Sequence, residues 1–156
     1  MLRFLFRHYQ RPLVIAIVIV SVIQIGSIVV YDVGRPGFRS NTLDNLMLVY
    51  GVVLFTLAPF LIAYHALTRL RQAMPDTRAL RGWNLGLSLN AILGAVSVAF
   101  GLLQAALRHY ILREPESLTG NELLVLLFGF VFALWLGGVM GWIGHRAAVF
   151  FNRNPA

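Results

Sequence analysis

The chain has no cysteine and no lysine, and each absence narrows what it can be. Without thiols there is no disulfide, no iron–sulfur cluster and no thiolate metal site. All cationic charge rests on 13 arginines against six acidic residues, a net charge of +7. An all-arginine bias of this kind is first of all the mark of a GC-rich genome. Charge is also scarce, at 12% of 156 residues, and no Asp, Glu or Arg falls inside the four longest apolar runs. Ionisable groups within a membrane normally mark ion or proton paths, so a pump or secondary transporter is disfavoured. A glycine-rich phosphate loop, an HExxH pair and a nucleophile–base pair are missing as well. The chain is therefore not expected to be an enzyme, and it is assigned no catalytic residue, no metal and no cofactor.

What is present in quantity is apolar side chain. The hydrophobic fraction is 58% and the mean hydropathy +0.75, where a soluble domain has about 45–50%. A crossing of the bilayer needs about 20 predominantly apolar residues in a row. Four runs supply that length: about 12–31, 46–68, 85–107 and 123–144. The pattern predicts one all-α domain over residues 1–156, an integral membrane four-helix bundle. Pro59 interrupts the second run and is expected to kink it or to free a carbonyl for another partner. Breakers separate the runs: Gly34, Pro36 and Gly37 after the first, and Met74-Pro75-Asp76 after the second. Ser117 or Thr119 is placed to cap the start of the fourth helix.

Arginine distribution predicts the orientation. Nine arginines lie at the N-terminus (Arg3, Arg7, Arg11), between the second and third runs (Arg69, Arg71, Arg78, Arg81) and at the C-terminus (Arg146, Arg153). The other two connections hold four, together with five of the six acidic residues. Positive flanks stay inside, so both termini are expected in the cytoplasm, in a bacterial-type inner membrane. A basic chain also raises the question of nucleic acid. Here the arginines flank apolar runs, which points to anionic lipid instead, met by Arg3, Arg7, Arg11, Arg69 and Arg71. Residues 1–11 have the spacing of a short interfacial helix; the plainer reading, a positive flank that orients the first span, takes precedence.

Small residues set the expected packing. Gly129, Ala133, Gly137 and Gly141 recur every fourth position, with Gly138 beside them, and Ala91, Ala95 and Ala99 repeat likewise on the third run. Small residues at this spacing let helix backbones approach closely in lipid. Gln24, Asn90 and Gln104 are polar points inside the runs, suited to tying helices together or to lining a path. His65 and His145 fall at the same membrane face, and His145 shares a helix face with Gly138 and Gly141 at 100° per residue. Two histidines from two helices can ligate a b-type haem; the plainer reading, polar residues at the headgroup level, again takes precedence.

The function expected from these features is a non-catalytic membrane subunit. It would pack into, stabilise or help assemble a larger complex with other integral membrane subunits. Two alternatives stand beside it: a small oligomeric channel or carrier for a neutral or lipid-like solute, and a haem- or quinone-binding subunit of an electron-transfer complex.

Overall fold

The computed structural model describes residues 2–30, 45, 49–70, 81–111 and 120–153. Arg71, the breakers at Gly34, Pro36, Gly37 and Met74-Pro75-Asp76, and the caps at Ser117 and Thr119 lie outside them. Among the described residues all but Tyr9, Arg81 and Ile111 are helical, and there is no strand. The helices are α1 (Leu2–His8), α2 (Gln10–Ile28), α3 (Val49–Arg69), α4 (Gly82–Tyr110) and α5 (Gly120–Arg153). Four of them, α2 to α5, are long and apolar enough to cross a membrane.

Apolar runs of this length suit helices, since a backbone placed in lipid can satisfy its polar groups within a single segment only as a helix. The Val- and Ile-rich α2 keeps to this rule despite β-branching, since propensity is a weak prior against unsatisfied amides. Large side chains cover the outside: Val125 and Phe128 are each 70% exposed. Such a surface is a liability in water and an ordinary one against acyl chains.

Two elements differ from expectation. First, the N-terminal segment is more than a flank. The chain leaves helical geometry at Tyr9 (φ −124°, ψ 23°), and Leu5 and Tyr9 bury with Leu13, Val20, Leu85, Leu89 and Leu93 in one core. Arg3, Arg7 and Arg11 remain exposed, as does Arg69. Second, α5 does not stop at Gly144 but continues to Arg153. Nothing between those positions breaks a helix, Ala147 and Ala148 favour one, and the next proline is Pro155. Arg146 sits 5.3 Å over the Trp142 ring in this extension.

The α4–α5 pairing is the most extensive in the chain, followed by α3–α5. They run antiparallel, since Gly82 approaches Gly141 while Gly101 approaches Leu126.

Candidate functional site

Close approach of α4 and α5 is built on glycine from both sides. A Cβ added to Gly82 would strike the Gly141 carbonyl oxygen, one on Gly86 that of Gly137, and one on Gly141 that of Gly82. Only hydrogen fits at these positions, so backbone meets backbone. Gly138 is covered by the Trp83 ring, 2.7 Å from where its Cβ would stand, and a Cβ on Gly144 would stand 2.5 Å from the Phe60 carbonyl oxygen of α3. The α4 half of the seam is Gly82, Gly86, Asn90 and Gly94, an every-fourth series that begins ahead of the apolar run and is crossed by a polar residue. The alanine series takes no comparable part. Ala95 and Ala99 are exposed and Ala91 is half-buried, because they fall one position beyond the glycine series and so about 100° around the helix. Gly129 also lies off the seam, with nothing within 4 Å of a Cβ placed there.

Asn90 closes the seam. Its side chain is fully buried, and Nδ2 donates to the Phe55 carbonyl at 2.9 Å and to the Ala133 carbonyl at 2.8 Å. Three helices are thus joined by one amide. Both acceptors have a reason to be there. Proline has no N–H, so Pro59 cannot donate to the carbonyl four residues earlier, Phe55. Gly137 lets the amide reach α5: a Cβ there would stand 2.6 Å from Asn90 Cγ and Nδ2. Around Phe55 the helix widens to a π-helical turn, Val53–Leu57, and the Thr56 hydroxyl donates to the Val52 carbonyl. Insertions of this kind are common next to a proline and at functional sites.

Toward the Tyr110 end of α4 the helices part. Between α3, α4 and α5, with Gln24 reaching in from α2, lies a cavity of about 610 Å³. Its wall is mainly apolar, with Tyr50, Thr56, Ser97 and Gln104 as polar points. Phe55 and Ala133 line it too, so the Asn90 bonds lie at its floor. The Tyr50 and Ser97 hydroxyls are buried with no hydrogen-bond partner among the described residues. Val125, Gly129 and Phe132 line the cavity and are also exposed, so it opens sideways, onto the apolar outer surface of the bundle.

The two histidines face different neighbours. His65 Nδ1 lies 2.9 Å from the Tyr9 hydroxyl, with the rings edge to face. His145 Nδ1 lies 3.5 Å from the Gly82 amide at the start of α4, a long contact. Burial pushes the Tyr9 phenol up to about 12, so it stays neutral at ordinary pH. Among the described residues no group of three or more His, Cys, Asp or Glu side chains is placed to hold a metal.

A pocket of this kind leaves almost no trace in a linear sequence: Gln24, Tyr50, Ser97 and Gln104 come from three helices. The seam glycines on α4 did leave a trace, in the spacing Gly82, Gly86, Asn90, Gly94. No protein-family model, curated protein or solved structure matches this chain.

Proposed function

We propose that this is a multi-pass protein of a bacterial-type inner membrane, with both termini in the cytoplasm, that holds a lipid-like molecule between α3, α4 and α5. It acts as a binder or carrier and not as an enzyme. One observation carries the reading, the laterally open apolar cavity of about 610 Å³. Small-molecule sites have about 300–1,000 Å³, apolar walls and a few polar groups that fix orientation. The orientation rests on the arginine asymmetry, and the exposed Arg3, Arg7, Arg11 and Arg69 would meet anionic headgroups on the cytoplasmic side.

The packing-subunit alternative draws on small-residue faces. In the fold those faces are largely spent on one another, so they offer less to a partner. Purification in gentle detergent followed by native mass spectrometry tests the readings together. We expect a bound lipid-like molecule on the wild-type chain and its loss from Gly129→Leu, which adds a bulky side chain at a cavity-lining position with open space around it. Equal lipid occupancy in the two proteins would overturn the proposal. Stoichiometric unrelated membrane subunits would restore the packing-subunit reading, and a Soret band lost in His65→Ala and His145→Ala would restore the haem reading.

A further inference from the structure

The cavity continues at its outer end into a second hollow of about 330 Å³, with which it shares Gly101, Gln104, Val125 and Leu126. The second hollow adds Arg108 and Asn121 to the lining. An apolar chamber thus leads to a hollow whose lining includes Arg108, Gln104 and Asn121.

Depth identifies the occupant further. The midpoint of α4 (Gly82–Tyr110) is Val96. The chamber extends along α4 from Gly94 to Gln104, ten residues and so about 15 Å at the helical rise. That is about half of a hydrocarbon core about 30 Å thick. Arg108 lies four residues further, about 6 Å beyond Gln104, at the headgroup level. With the midpoint of α4 at the bilayer midplane, the chamber would span one leaflet from near the midplane to the interface, with Arg108 at the interface and the chamber's side open to lipid.

We propose that the site selects an anionic lipid of that leaflet, with one acyl chain in the chamber and the head group on Arg108, Gln104 and Asn121. The inference rests on the reading of the cavity as a lipid site and adds the charge of the head group. A guanidinium has five N–H donors, so Arg108 can serve a phosphate oxygen and a partner within the chain together. Planar donor forks of this type suit phosphate well.

The test uses full-length protein in neutral detergent, titrated with phosphatidylglycerol or with phosphatidylcholine of the same chains, and read by native mass spectrometry. We expect about five-fold tighter binding of phosphatidylglycerol, the scale of one basic residue acting at a membrane surface. Arg108→Gln should still bind both lipids with the preference lost, and Arg108→Lys should keep most of it. Inorganic phosphate at millimolar concentration should not displace phosphatidylglycerol, because it has no chain to bury. Gly129→Leu should weaken both lipids alike. Equal affinities in the wild type, or a preference unchanged in Arg108→Gln, would overturn the charge selection while leaving the cavity reading intact. Binding unaffected by Gly129→Leu would overturn the cavity reading itself.

Discussion

Removing the donor that Pro59 makes necessary should destabilise the bundle in a way that removing Pro59 repairs. In Asn90→Ala two hydrogen bonds vanish, to Phe55 and to Ala133. Interhelical bonds in membranes are worth about 0.6 kcal/mol on average and up to about 1.7 kcal/mol. The two carbonyls are not equivalent after the loss. Ala133 lies inside α5 and keeps the donor that a regular helix supplies. Phe55 keeps none from residue 59, and an unsatisfied buried carbonyl costs about 1–3 kcal/mol. Against this, the change also removes the buried Asn90 Oδ1, which has no partner among the described residues, so Asn90→Ala should lose about 1–3 kcal/mol. In a Pro59→Ala background residue 59 has an N–H again, and Phe55 regains a donor within its own helix. The same Asn90→Ala change should then cost less, by a coupling energy of about 1–2 kcal/mol. Unfolding by sodium dodecyl sulfate in mixed micelles, followed by circular dichroism, measures all four proteins of the cycle. Equal losses in both backgrounds, within about 0.5 kcal/mol, would refute the link between proline and asparagine.

Gly137→Leu or Gly141→Leu should destabilise the isolated chain by at least the about 1–3 kcal/mol typical of overpacking, while Val139→Ala, on a half-buried position, should cost less; the same unfolding titration separates them. Burial pushes the Tyr9 phenol from its ordinary 10.0 up to about 12. Its neutral form is the one the fold favours, so that contribution is full below pH 10 and is lost as pH rises toward 12. Unfolding midpoints measured at pH 9 and pH 11.5 should fall more in the wild type than in Tyr9→Phe. Reporter fusions at the C-terminus and after Arg71 should report cytoplasm, and fusions near Gly37 and Glu116 the opposite side; an external C-terminus would overturn the orientation.

The four long apolar helices were legible because hydropathy over 20 residues depends on composition, not on neighbours. Pro59 was legible as a source of a free carbonyl, since a missing N–H is a covalent fact. Its partner was not, because the residue that meets Phe55 is 35 positions away and its choice depends on how two helices are rotated. The seam was half legible. The α5 glycines stood inside an apolar run, whereas Gly82 preceded its run and Asn90 broke the small-residue pattern. The alanine series on α4 looked equivalent on paper, yet small size says only that close approach is allowed there. The burial of Leu5 and Tyr9 was hidden behind Arg3, Arg7 and Arg11, whose spacing read as an interface. The cavity was not legible at all, as it belongs to the space between helices and to no helix by itself.

A ladder of small residues every four positions has a weakness that the Asn90 bonds remedy. If α4 slid past α5 by four residues, about 6 Å along the axis, Gly86 would come level with Gly141 and close approach would survive at that rung. Glycine contact alone therefore leaves neighbouring alignments close in energy, and lipid supplies no hydrophobic force to choose between them. Asn90 chooses. Its amide bonds the Phe55 carbonyl and the Ala133 carbonyl in this alignment, and a slide that loses either bond leaves a buried polar group without that partner. One buried asparagine is known to fix the register of a coiled coil at some cost in stability. Here it would do so for three helices at once, and so would keep the chamber above it the same length in every copy of the protein.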